Sequence, residues 1–245
     1  MDLELVREDM VDSLEHEAKA VVHSDAVSAA MRTVPRHEFV DDERGAYNDT
    51  AHRVAGSRVL SPSTVGRLLE ALSPSDGDET LVVGAGVGYT AAVLAEMVGA
   101  ARVHAIDIDR GLVLEARRNL ERAGYPAVLV DRRDGAHGLA EYEPFDRILV
   151  EAAAVDPPAA LLDQLAPDGR LVMPSGTAGQ TLVACDDDGQ TRERFGPVSF
   201  APLLVEGEQA TAVERNRTER EDRERAEQAA ETRAWRDGTW MDRDY

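Results

Sequence analysis

The chain has 245 residues with a formal net charge of −20, 43% of them hydrophobic and 30% charged. Such a chain can pack one full domain with a short appendage and is too apolar for general disorder, while its acidity argues against a phosphate-backbone partner, which needs a basic stripe. Cys185 is the single cysteine and Lys19 the single lysine, so an intrachain disulfide is excluded, no thiolate metal site is expected, and the acidic, arginine-based surface fits a high-salt cytoplasm.

Residues Met1 to Asp12 contain no apolar signal core, and no run approaches the roughly 18 to 20 apolar residues of a membrane span, so a cytoplasmic location is expected. Leu5, Val6, Met10, Leu14, Ala18, Val21 and Val22 recur at three- and four-residue intervals, a helical pattern. A second short helix is expected from Ser24 and Asp25, ending at Val34-Pro35 because the residue before proline is steered out of the helical region. Phe39 to Ser61 reads as irregular, rich in polar and turn-forming residues. Ser61 and Pro62 suit the cap and first turn of a helix burying Val65, Leu68, Leu69 and Leu72.

From Glu79 onward, short apolar runs alternate with helical patterns. Strands are expected at Thr80–Val83, Ala101–Ile106, Ala127–Val130, Arg147–Val150 and Gly169–Met173, and helices at Tyr89–Val98, Leu112–Ala123 and Pro158–Leu165. This alternation implies a mostly parallel sheet with crossover helices. Thr181–Cys185 and Val198–Val205, separated by a polar stretch, are expected to pair antiparallel at the sheet edge. Asp156-Pro157-Pro158 reads as a helix start and Asp186-Asp187-Asp188 as a hairpin tip. The tail from Glu214 to Tyr245, with Trp235 and Trp240, is dense in Arg and Glu and carries no expected site. His16, His23, His37, His52, His104 and His137 form no ligand pair, so no metal is expected.

The chemistry concentrates at Leu81-Val82-Val83-Gly84-Ala85-Gly86-Val87-Gly88-Tyr89, a strand, a glycine turn and a helix start. Glycines let the backbone approach a ligand closely, and the free N–H groups of the helix end favour an anionic group. Asp107 closes the next strand about 20 residues on, where a ribose needs a carboxylate acceptor. Asp107 or Asp109 also suits the cap of the following helix. Asp134-Gly135 follows the third strand at the same edge. Nicotinamide cofactors usually meet a Gly-x-Gly-x-x-Gly turn. The tighter Gly84-x-Gly86-x-Gly88 looks like an S-adenosylmethionine turn.

Several stretches together resemble the protein-L-isoaspartate O-methyltransferases: Val34-Pro35-Arg36-His37-Glu38-Phe39-Val40, Ala46-Tyr47-Asn48-Asp49, the glycine turn through Tyr89 and Ala91 to Ala95, Pro144-Phe145-Asp146 through Glu151-Ala152-Ala153-Ala154, and Gln164-Leu165 with Gly169 to Pro174 and Gly176. The likeness spans about Met31 to Leu204. It implies a Rossmann-like α/β methyltransferase sheet with an antiparallel edge strand behind a helical N-terminal section. It also implies methyl transfer from S-adenosylmethionine to the α-carboxylate of L-isoaspartyl residues in damaged proteins. The expected divisions are residues 1–78 for the helical section and substrate loop, 79–205 for the methyltransferase domain and 206–245 for the tail.

The chain departs from the family before the first sheet-domain helix. The family's Gly-x-Gly-Gln-Thr-Ile-Ser-x-Pro corresponds to a stretch one residue shorter, Gly56-Ser57-Arg58-Val59-Leu60-Ser61-Pro62. Aligned from Pro62, the family's substrate-positioning serine and threonine fall on Leu60 and Arg58; aligned from Tyr47, they fall on Ser61 and Val59. Glu151 replaces a usual threonine at the mouth of the site and would repel an anion. The expected cofactor residues are Gly84, Gly86, Gly88, Tyr89, Asp107, Asp134 and Gly135, and Ser61 is the expected catalytic residue, with a plain helix cap as its alternative role. A methyltransferase of the same fold acting on RNA or a small molecule, or a non-catalytic cofactor-binding homologue, are the competing readings.

Overall fold

The computed structural model describes residues 2–204; the expectations for the charged tail lie outside them. Helices α1 (Leu3–Glu15) and α2 (Asp25–Thr33) are capped by Asp2 and Ser24, whose side chains accept from backbone N–H groups of the first turn. A 3-10 turn over Arg36–Phe39 follows Pro35. Strands β1 (His52–Val54) and β2 (Ser57–Val59) form an isolated antiparallel hairpin, and helix α3 (Pro62–Leu72) starts from Ser61.

The sheet domain runs β3 (Thr80–Val83), α4 (Tyr89–Val98), β4 (Val103–Asp107), α5 (Arg110–Ala123), β5 (Leu129–Arg132), β6 (Phe145–Val150), α6 (Ala159–Asp163), β7 (Leu165–Ser175), β8 (Gln180–Cys185) and β9 (Thr191–Val198). Its seven strands lie in the order β5-β4-β3-β6-β7-β8-β9. The first five are mutually parallel, and β8 and β9 add an antiparallel edge. This is the mostly parallel, Rossmann-like α/β sheet with an antiparallel edge that the alternation implied.

Strand side chains alternate between faces, and the two faces are covered differently. Val82, Leu149 and Val172 join a core with residues of α1 to α5, such as Leu14, Met31 and Leu94. Leu81, Val83, Ile148 and Val150 point the other way, toward Leu139, Leu161 and Leu203. The core therefore runs unbroken across the junction at residue 78, tying the N-terminal helices to the sheet.

Two expectations fail. Phe39 to Ser61 is not wholly irregular: Ala55 (φ +49°) and Gly56 (φ +80°) make a two-residue hairpin turn, and Ala46, Tyr47, Val54, Val59 and Leu60 are buried. Positive φ at both central residues matches the turn to the right-handed twist of the strands. The last strand among the described residues is Thr191–Val198, where Val198–Val205 was expected. The Asp186–Gln190 turn, closed by Gly189 at φ +74°, returns the chain early. Residues 199–204 instead cross the carboxyl edge of the sheet, with the Ala153 N–H donating to the Ala201 carbonyl and the Leu203 N–H to the Ala153 carbonyl, both at 2.8 Å.

Candidate active site

The carboxyl ends of β3, β4 and β6, the β1–β2 hairpin and the 199–204 crossing enclose a cleft of about 610 Å³, within the usual size of a small-molecule site. Its wall starts with the glycine turn. The N–H groups of Gly84 and Ala85 both donate to the Ile106 carbonyl, at 2.9 and 3.0 Å, fixing the turn to the end of β4. Gly84 (φ +88°) and Gly86 (φ +54°) line the cleft in left-handed conformations.

Asp107 faces the same space. Its Oδ2 accepts from the Gly86 N–H and its Oδ1 from the Asp109 N–H, both at 2.9 Å. Each carboxylate oxygen retains a lone pair for a ligand. Burial pushes its pKa up, and the N–H groups of Asp109 and Gly86 oppose that rise. Helix capping falls to Asp109, which accepts from the N–H groups of Gly111 and Leu112. Gly135 also lines the cleft; a Cβ there would come within 2.5 Å of Val83 Cγ1. Ile106, Ile108 and Leu112 give this end apolar walls, suited to a flat aromatic base.

Other expected site residues stand elsewhere. Gly88 (φ +94°) is the N-cap of α4, where a Cβ would press on Leu120 and Ala116 of α5 at 3.2 to 3.4 Å. Its glycine thus serves helix packing. The Tyr89 ring is buried between Phe39, at 5.6 Å between centroids, and the Arg36 guanidinium, 4.6 Å from its centroid. It points into the core and is not among the residues lining the cleft. Asp134 is adjacent to the cleft: its Oδ1 accepts from the Ala136 N–H at 2.9 Å, shaping the turn that presents Gly135.

Ser61 also stands apart from the cleft lining. Its hydroxyl accepts from the Thr64 N–H at 3.3 Å and pairs with the Thr64 and Ser63 hydroxyls, so it closes the start of α3 and stays out of the cleft. Leu60 and Arg58 line the cleft instead, in the positions that alignment from Pro62 gives them. Arg53 and Arg58 are cross-strand partners in the hairpin, both at the cleft mouth. Ser57 puts a hydroxyl there too. The residue-level signal for this group was the pair of similar triplets, His-Arg-Val and Ser-Arg-Val, on either side of Ala55-Gly56.

Glu151 follows β6, with its N–H donating to the Val83 carbonyl at 2.8 Å. Its side chain lines the cleft, and Oε1 is closed to solvent without a hydrogen-bond partner. Burial pushes its pKa up to about 7; the Thr90 hydroxyl works against that rise and Asp107 adds to it.

The family model described as protein-L-isoaspartate(D-aspartate) O-methyltransferase matches residues 6–208. Protein-L-isoaspartate O-methyltransferases of Aeropyrum pernix and Methanococcoides burtonii are 43% identical over 206 residues and 40% over 182. Those alignments cover 80% and 71% of this chain and 78% and 90% of the relatives. A solved Plasmodium falciparum chain assigned to the same activity, in complex with S-adenosyl-L-homocysteine, shares the fold with a TM-score of 0.72 at 21% identity, covering 81% of this chain and 98% of its own. Another solved protein-L-isoaspartate O-methyltransferase has a TM-score of 0.69 at 26% identity, covering 81% of this chain and 66% of its own.

Proposed function

Because the chain belongs to the protein-L-isoaspartate O-methyltransferase family, we propose how its own residues perform the family's reaction. The enzyme methylates the free α-carboxylate of L-isoaspartyl residues in damaged proteins, using S-adenosylmethionine. The observation that carries the residue assignment is the cleft in which two left-handed glycines and the Asp107 carboxylate converge. When bound, S-adenosylmethionine supplies an electrophilic methyl group on a cationic sulfur.

Gly84, Gly86, Asp107 and Gly135 would hold the cofactor, with Ile106, Ile108 and Leu112 against its base. The spare lone pairs of Asp107 suit ribose hydroxyls. The substrate carboxylate is already a nucleophile, so the protein's work is to orient it and keep water away. Arg53 and Arg58 at the mouth provide positive charge in an otherwise acidic protein. Leu60 and the 199–204 crossing close the cleft with apolar surface.

Arg58, Leu60 and Glu151 make this a divergent member of its family. The surface of a chain with formal charge −20 and one lysine suits a high-salt cytoplasm, where strongly hydrated carboxylates keep a protein soluble. No helix among the described residues is long and apolar enough to cross a membrane.

The test is calorimetry with S-adenosyl-L-homocysteine, followed by methyl transfer to an isoaspartyl peptide and to its aspartyl isomer, in molar salt. Binding with turnover of the isoaspartyl peptide alone is expected. Absence of binding by folded protein would overturn the site assignment.

A further inference from the structure

An enclosed cleft that receives an anionic substrate should not also present an anionic side chain. Glu151 lines the cleft with Oε1 buried and unpaired, and an unsatisfied buried polar atom of this kind is retained at a cost. Asp107 is a fixed acceptor of two N–H groups nearby. A substrate carboxylate would then be the third carboxyl in one space, and closely spaced carboxyls do not all ionise.

We propose that Glu151, in its neutral form, is a specificity-determining residue that donates a hydrogen bond from its carboxyl group to the free α-carboxylate of the substrate. This rests on the isoaspartyl reading of the site. Glu151 keeps its proton throughout. One substrate oxygen accepts that hydrogen bond while the other forms the new bond to the methyl carbon as the methyl–sulfur bond breaks.

The groups facing Glu151 set its balance of charge. Thr90 at the start of α4 and Asp107 at the end of β4 act on it directly, burial being the largest influence and holding the pKa near 7. Asp109 and the hairpin's Arg53 and Arg58 complete the ionisable lining of the cleft. Gly135 and the Ser199–Leu204 crossing contribute no ionisable side chain. The substrate carboxylate, with an ordinary pKa below about 4, stays charged throughout the range in which Glu151 changes state.

The experiment measures kcat/KM for an L-isoaspartyl peptide from about pH 6 to about pH 9 at saturating S-adenosylmethionine, in wild type, E151Q and E151T. S-adenosyl-L-homocysteine affinity is measured alongside at each pH. Wild-type kcat/KM is expected to fall about tenfold per unit above about pH 7, mainly through KM. Both variants carry a donor that does not titrate, so their profiles should be flat. A flat or rising wild-type profile overturns the proposal, as does a fall that persists in E151Q. Loss of turnover in both variants with S-adenosyl-L-homocysteine binding intact overturns it too. Wild type that binds S-adenosyl-L-homocysteine but turns over the peptide at no pH defeats the isoaspartyl reading itself, a separate result.

Discussion

Arg36 Nη2 donates to the Leu60 carbonyl at 2.6 Å, so a side chain just past the end of α2 fixes the backbone of a residue that lines the cleft. Its Nε also donates to the Ala46 carbonyl at 2.8 Å, and the guanidinium lies over Tyr89 at the start of α4. Arg36 is fully buried, and burial lowers its pKa, with Tyr89 opposing the shift. The planar fork joins the N-terminal section, the substrate loop and the cofactor turn at a single point. Lysine cannot reproduce that geometry.

Arg36→Met should therefore lower stability by about 2 to 4 kcal/mol, since two buried carbonyls lose a charged donor, partly offset by removal of a buried charge. Denaturant midpoints at fixed salt measure this. The loss in kcat/KM should exceed any loss in cofactor affinity, because the Leu60 segment is what comes loose.

The Ser61 hydroxyl caps α3 and does not face the cleft. Ser61→Ala is expected to cost about 1 kcal/mol of stability while kcat for the isoaspartyl peptide changes less than about twofold. A fall in kcat of a hundredfold with the fold intact would return Ser61 to the catalytic role its sequence position suggested.

Gly86 and Gly88 belong to one motif but have different jobs. At Gly86 an added Cβ meets nothing closer than Ser57 Oγ at 3.8 Å, yet it would project at the cleft from a backbone with φ +54°. At Gly88 it would press on Leu120 and Ala116. Gly86→Ala should weaken S-adenosyl-L-homocysteine binding at least tenfold for about 1 kcal/mol of stability. Gly88→Ala should lose about 2 kcal/mol or more through overpacking added to backbone strain. Calorimetry and thermal unfolding on both variants separate the two effects.

How much of this was readable from residues follows from where each signal comes from. The β3–α4–β4 unit was legible because apolar runs end sharply at Gly84 and at Asp107-Ile108-Asp109, where turn and capping chemistry are local. The direction of Tyr89 was not, because α4 is buried nearly all round and an apolar helix without a polar stripe gives no bearing on which residue faces a ligand. The β1–β2 hairpin has strands of three residues each with an exposed arginine, too short for alternation to stand out. Strand β9 begins Thr191-Arg192-Glu193-Arg194, all exposed at the sheet edge, so hydrophobic patterning passed it over in favour of the apolar Val198–Val205 run. The choice between Leu60 and Ser61 depends on the place of a one-residue gap, for which Gly56 to Pro62 carries no local signal.

Arg53 and Arg58 sit opposite each other on the hairpin, and facing like charges destabilise a strand pair unless an anion is shared. Arg58→Ala should reduce kcat/KM for the isoaspartyl peptide about tenfold, mainly through KM, without altering S-adenosyl-L-homocysteine affinity. Both side chains belong to exposed residues, so the effect should shrink as salt is raised. An effect that does not vary with salt would mean that Arg58 acts through packing of the hairpin.

Glu151 also predicts how stability depends on pH. Its folded pKa, about 7, lies above the ordinary 4.5, so between those values the folded protein holds a proton that the unfolded chain has released. Stability is therefore fully present below about pH 4.5 as far as this group is concerned, falls as pH rises toward 7, and levels off above it. The drop is at most about 3.5 kcal/mol, from roughly 1.4 kcal/mol per pKa unit. Glu151→Gln removes it, so the variant should be the more stable protein at about pH 8 and should lose that advantage toward about pH 5. Denaturant titrations across this range decide the matter. Parallel pH curves for wild type and variant would mean that Glu151 titrates normally, with water or a mobile side chain satisfying its Oε1.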